Sequence, residues 1–180
     1  SFERMQNEGF FPDAITFVCV LKACGSTGAI HKGKYIHDEI LSMGLIEKNI
    51  ILGTALVDMY AKCGMLTKAR RILETLPTRD VACWNALMAG YAQQGDVDEA
   101  LNCFHCMEGE DLSPNAITFQ SILNACSHKG LLDEAQTYYE MMTRKYGITP
   151  DLEHHTCMVV VSGGIGQFEK AMAVIKAMPS

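Results

Sequence analysis

The sequence predicts an all-α protein, a right-handed α-solenoid superhelix of helix-turn-helix repeats. Three observations predict it. Apolar residues fall at helical spacing in two adjacent short runs, Leu52, Leu56, Met59 and Tyr60, then Ala69, Ile72, Leu73 and Leu76. A glycine returns at Gly28, Gly64, Gly95, Gly130 and Gly166, in steps of 36, 31, 35 and 36 residues. The same neighbours travel with it. A small residue stands five positions later (Gly33, Ala69, Ala100, Ala135, Ala171), and an aliphatic one twelve later (Ile40, Leu76, Met107, Met142, Met178). Another aliphatic residue stands eight before (Val20, Leu56, Leu87, Ile122, Met158). A period of this length marks stacked repeats.

Each recurring position has a physical reason. Glycine visits positive φ at little cost, so it can turn the chain between two helices. The small residue lets the second helix approach the first where they cross. The aliphatic residues fill the seams within and between hairpins. A single hairpin cannot bury its apolar face, so the units must stack.

Taken in order, residues 1–13 form the C-terminal end of a truncated repeat, with Phe2 and Met5 aligning with Phe104 and Met107. Residues 14–49 are a long repeat and 50–80 a short one, with helices over Ile51–Lys62 and Leu66–Leu76. Cys63-Gly64 is the turn between those helices, and Pro77 stops the second because proline cannot extend the hydrogen-bond ladder. Residues 81–115 are a standard repeat, 116–151 a long one, and 152–180 an incomplete short one, all in one solenoid domain. Because the chain opens in mid-unit, it reads as a piece of a longer repeat protein.

Composition narrows the function. A net charge of −6 and a pI near 5.5 argue against a generic basic nucleic-acid patch. They leave open a reader of single strands that works through stacking and hydrogen bonds. No run of 18 apolar residues suggests a membrane span. The eight cysteines fall within helices and turns, Cys24 and Cys126 in the same slot of their units, which suggests buried reduced thiols rather than disulfides.

At this point the residues carry a resemblance. ALVDMYAKCG (Ala55 to Gly64), WNALMAGYAQQG (Trp84 to Gly95) and ITFQSILNACSHKGLLDEA (Ile117 to Ala135) are similar to plant pentatricopeptide repeat proteins of the PLS subclass. GKYIHDEILSMGL (Gly33 to Leu45) and LEHHTCM (Leu152 to Met158) extend the likeness over the whole chain. The alternation of long (L-type), short (S-type) and standard (P-type) units belongs to that subclass. It differs from the fixed 34-residue period of tetratricopeptide repeats.

The resemblance implies that each repeat reads about one base of single-stranded RNA. The readers are the fifth residue of the first helix and the last residue of the unit. They are Val18 with Asn49, Thr54 with Asp80, Asn85 with Asn115, Gln120 with Asp151, and Thr156, whose partner lies beyond Ser180. In the family Thr54 with Asp80 favours guanine and Asn85 with Asn115 a pyrimidine. Second residues of successive units, Ile15, Ile51, Ala82, Ile117 and Glu153, would sandwich the bases, with Ala82 and Glu153 departing from the aliphatic preference. Lys62 stands where the family contacts a phosphate, while Gln93 and His128 replace it in later units. The bland alternative is that Asn, Asp and Thr at helix starts are ordinary caps.

Other motifs carry less. Cys103-x-x-Cys106 and the His154, His155, Cys157 cluster do not make the four converging ligands of a structural zinc. His37-Asp38-Glu39 mimics the HxE of zinc deaminases, but Asn102 stands where that signature wants proline before the first cysteine. Ser162-Gly-Gly-Ile-Gly166 lacks the Gly-Lys-Ser/Thr of a phosphate loop, and its adjacent glycines should loosen the helix end. The expectation is therefore an RNA-binding module of an organellar RNA-processing or C-to-U editing factor, in chloroplast or mitochondrion. It would use no metal or cofactor and perform no chemistry itself. The rival is a protein scaffold that docks an editing cofactor protein, or self-associates as a homo-oligomer through exposed repeat ends.

Overall fold

The computed structural model describes residues 12–164 and Gly166. Among the described residues there are nine α-helices and no strand. They are α1 (Ala14–Thr27), α2 (Ile30–Ser42), α3 (Ile50–Lys62), α4 (Leu66–Thr75) and α5 (Val81–Gln94). After these come α6 (Val97–Gly109), α7 (Ala116–Lys129), α8 (Leu132–Arg144) and α9 (Leu152–Gly164). One 3₁₀ turn, Ile46–Lys48, separates α2 from α3. The helices group into two compact bodies, Ser1–Gly90 and Tyr91–Ser180, the division falling within α5.

The turn geometry repeats. Gly28, Gly64, Gly95, Gly130 and Gly166 all hold positive φ, between 67° and 78°. The residue after each of the first four donates its backbone N–H to the carbonyl of the residue four before the glycine. These bonds are Ala29 to Cys24, Met65 to Tyr60, Asp96 to Tyr91 and Leu131 to Cys126, at 2.9–3.0 Å. This six-to-one bond closes a helix on a left-handed residue and satisfies an otherwise orphaned carbonyl.

In the first body α1 packs on α2 and α3, and α3 on α4. Phe17, Leu21, Ile36, Ile40, Leu52, Leu56, Met59 and Leu73 are fully buried. Small residues set the spacing. A β-carbon on Gly53 would lie 2.6 Å from Leu76 Cδ2, so a larger residue there would make the Leu76 side chain shift. In the second body α7 packs on α6, α8 and α9. Phe104 is its centre, 5.8 Å from Phe119 and 5.5 Å edge-on from Tyr138, ring to ring.

Several expectations need correction. Val20 is half-buried, and Leu21 fills the core instead. The helix expected to reach Leu76 ends at Thr75, with Leu76 already extended (φ −66°, ψ 134°) one residue before Pro77, which disfavours helical geometry in its predecessor. Helix α9 spans Leu152–Gly164, so the adjacent Gly163 and Gly164 stand at the end they were expected to loosen. Cys24, Cys83, Cys103 and Cys126 are buried, but Cys63, Cys106 and Cys157 only partly, and Cys19 is exposed. Phe2, Met5, Ala171 and Met178 lie outside the described residues.

Candidate nucleic-acid interface

The expected base-sandwiching residues sit one turn from the expected readers. On α1, α3 and α7 the second and fifth residues are three apart, which places both on one helix face. Burial separates their roles. Ile15 is 73% exposed, Ile51 63% and Ile117 57%, although three isoleucines in one register would be expected in a core. Ala82 and Glu153 are exposed as well. Val18, Thr54 and Gln120 are half-buried and Thr156 is exposed. Asn85 is the exception, at 6% exposure.

The last residue of each unit caps the next first helix. Asn49 Oδ1 accepts from the backbone N–H groups of Ile51 (3.1 Å) and Leu52 (3.3 Å). Asp80 Oδ1 accepts from Cys83 N (2.9 Å), and Asn115 Oδ1 from Thr118 N (3.1 Å). Thr118 Oγ1 accepts in return from Asn115 N at 3.1 Å, completing a capping box. Asp151 Oδ1 accepts from Glu153 N (3.0 Å) and His154 N (3.1 Å). One oxygen of each side chain is therefore committed to the helix. Beyond that oxygen the chemistry differs: the other polar atom is an amide nitrogen, a donor, in Asn and a second oxygen, an acceptor, in Asp. The same cap thus presents opposite chemistry according to residue type.

Two of the expected reader pairs are joined through a third residue. Thr54 Oγ1 donates to Ile50 O at 3.0 Å and lies 2.8 Å from Cys83 Sγ. With the hydroxyl proton used, the thiol donates to Thr54, and burial raises the Cys83 pKa so that the proton stays on sulfur. Cys83 N–H in turn binds Asp80, so Cys83 links Thr54 to its partner. In the second body Gln120 Nε2 donates to Glu153 Oε2, and Glu153 N–H binds Asp151. Val18 offers Asn49 no polar group.

Asp151 is held from a further side. His154, fully buried, places Nδ1 2.5 Å from Asp151 Oδ1 and Nε2 2.9 Å from the carbonyl oxygen of Ala116. Burial opposes ionisation of Asp151, but the hydrogen bonds from His154 outweigh it and hold the carboxyl below its ordinary value. Lys62 is exposed and paired with Asp58 at 2.8 Å, a surface ion pair that a phosphate could displace at small cost. Cys83, His154 and the contact of Glu153 with Gln120 were not foreseen. No shared phase signals them in the sequence: Cys83 is the third residue from Val81, and Glu153 the second from Leu152.

The other sequence candidates are engaged elsewhere. His155 Nδ1 lies 3.1 Å from Tyr139 Oη, His37 Nδ1 3.0 Å from Tyr60 Oη, and Cys103 is in the core. Among the described residues no three His, Cys, Asp or Glu side chains converge to hold a metal. Among them, too, no helix is long and apolar enough to cross a membrane.

Family models decide the identity of the fold. A model of the PPR repeat matches residues 54–81 and 117–146, and one of the PPR repeat family matches residues 79–128. The chain belongs to the pentatricopeptide repeat family. Arabidopsis thaliana relatives agree. The putative pentatricopeptide repeat-containing protein At3g49142 is 43% identical over 98% of this chain and 26% of its own length. At1g06140, named mitochondrial, is 37% identical over 99% of the chain and 32% of its own length. The chain thus spans about a quarter to a third of these relatives. Among solved structures, the pentatricopeptide repeat protein PPR10 in complex with an 18-nt psaJ RNA element is similar at TM-score 0.85 and 27% identity. That match covers 98% of this chain and 26% of PPR10. The PPR domain of Arabidopsis protein-only RNase P 1 matches at TM-score 0.69 and 14% identity, a likeness of fold alone.

Proposed function

We propose that this chain is part of a sequence-specific single-stranded RNA-binding array of the PLS subclass, reading about one base per repeat. The observation that carries the reading is the triplet Ile15, Ile51 and Ile117, exposed in one register beside Val18, Thr54 and Gln120. An isoleucine left in water at a fixed phase is an apolar plate awaiting a base, and the neighbouring polar atoms can read that base's edge. The RNA-bound state of the similar PPR10 supports it.

In this reading the L-type units are residues 14–49 and 116–151, the S-type units 50–80 and 152–180, and the P-type unit 81–115. Thr54 with Asp80 takes guanine, since a carboxylate only accepts and guanine has a ring N–H. Asn85 with Asn115 takes a pyrimidine. Lys62 exchanges Asp58 for a phosphate. The array supplies address and no catalysis, directing organellar RNA processing or C-to-U editing by a longer protein. Relatives named mitochondrial support the organelle.

A second reading, docking of an editing cofactor protein, is favoured by one observation: Tyr35, Leu41 and Met43 are large apolar side chains left exposed at α2. Fluorescence anisotropy at low salt separates the two. A single strand carrying guanine then a pyrimidine should bind, and the same strand sealed in a duplex should not. Equal binding to both, or to neither, overturns base reading.

A further inference from the structure

We infer that Glu153 is a specificity-determining residue which, by holding the Gln120 amide, makes the Gln120–Asp151 position a guanine site. This rests on the RNA-reading function proposed above. The sequence pattern treats Glu153 as a failed stacking residue. The structure gives it another task. Its carboxylate meets the Gln120 side chain across 33 residues of sequence. A carboxylate carries no proton to donate, so it must face the amide nitrogen. The orientation of Gln120, ambiguous for a free amide, is therefore fixed with Oε1 turned away from Glu153.

What remains for a base follows by counting. Gln120 has spent one N–H on Glu153 and keeps its carbonyl oxygen and one N–H. Asp151 Oδ1 already receives Glu153 N–H and His154 N–H and lies 2.5 Å from His154 Nδ1, so a base meets Oδ2, which accepts only. Two acceptors and one donor are on offer. Guanine alone places two adjacent donors, N1–H and the 2-amino group, beside one acceptor, O6. Uracil has a single donor between two acceptors. Adenine and cytosine turn a bare ring nitrogen toward the carboxylate. A second carboxylate in the same cluster deepens the preference for the donor-rich edge. Ile117 is still available for stacking on one side of the base. Glu153 in place of an aliphatic residue shifts the balance at this position from stacking to hydrogen bonding.

The test uses RNAs with guanine, then a pyrimidine, then each of the four bases on the side away from the first guanine. The intact chain is compared with Glu153→Gln and Glu153→Ile. Glutamine can donate as well as accept, so it no longer fixes which way the Gln120 amide faces, and isoleucine does neither, so it leaves that amide unheld. Glu153 is exposed, so both variants should melt with the parent. The inference expects the parent to prefer guanine over adenine at the last position by about tenfold, the value of a well-matched base contact. Both variants should fall to within about twofold while keeping the pyrimidine preference at the preceding base. Variants that retain the guanine preference overturn it. So does a parent indifferent at this base but selective at the preceding one. Indifference at every base withdraws the RNA reading and this inference together.

Discussion

Replacing Asn115 separates the observed cap from the proposed reader in a single side chain. Its Oδ1 takes the Thr118 N–H at 3.1 Å, and its own N–H binds Thr118 Oγ1 at 3.1 Å. Asn115→Ala removes the side-chain half of that box and leaves an orphaned donor at the start of α7. The expected cost is about 1 kcal/mol, within the 0.5–2 kcal/mol range of N-cap truncations. For a chain of 180 residues this lowers Tm by roughly 2–4 °C. Asn115→Asp retains the accepting oxygen and adds a negative charge at the helix N-terminus, which favours it by a few tenths of a kcal/mol. Its Tm should therefore match or exceed that of the parent, while its remaining atom changes from donor to acceptor. Base preference at that position should move toward a base with a ring N–H. Differential scanning calorimetry and an RNA series measure the two effects independently. An Asp variant as unstable as the Ala variant would refute the capping argument. An Asp variant with unchanged preference would refute the claim that the cap determines which atom the base meets.

Two further predictions concern stability. Gly28 has φ 67° and open space around its missing β-carbon, so Gly28→Ala pays only for left-handed backbone, about 1–2 kcal/mol, and Gly28→Asn less. Thermal melts should rank the parent above Asn and Asn above Ala. Glu108 is opposed in its ionisation by burial, but Lys145 at 2.8 Å and the Tyr146 hydroxyl outweigh that and hold its pKa below 4.5. A lowered carboxyl pKa stabilises the fold above the ordinary value and loses that contribution as pH falls through the folded one. Stability should decline from about pH 4.5 downward, and Glu108→Gln should flatten that part of the pH profile in urea titrations.

The sequence showed the architecture more fully than the interface, for physical reasons. Turn glycines and core residues repeat because each unit solves the same packing problem, so five copies reinforce one signal. Val20 escaped that signal: its register equivalents are buried, yet in α1 Leu21 takes the core position. The 3₁₀ turn at Ile46–Lys48 carries no glycine or proline to mark it. Asp111 takes φ 58°, a left-handed conformation that Asp tolerates and that the repeat pattern did not mark. The expected reader positions came from the resemblance, whereas the hydrogen bonds around them left no mark in the sequence. Cys83 looks like a core thiol and Glu153 like a mismatch until helices thirty residues apart lie side by side. For Asn49, Asp80, Asn115 and Asp151 the sequence offered two competing readings, helix cap and base reader. The structure shows the capping; the proposed reading would use the atoms that capping leaves over.

The most direct test of the central claim is the base preference opposite Asn85. The chain is titrated at low salt, as its acidity requires, with single-stranded RNAs carrying guanine followed by a pyrimidine or guanine followed by adenine. Asn85→Ala is measured alongside, with circular dichroism as a folding control because Asn85 is buried. Tighter binding to the pyrimidine strand, lost in a folded Asn85→Ala, is the result this account predicts. Equal affinity for the two strands, or a preference that survives the substitution, would contradict it.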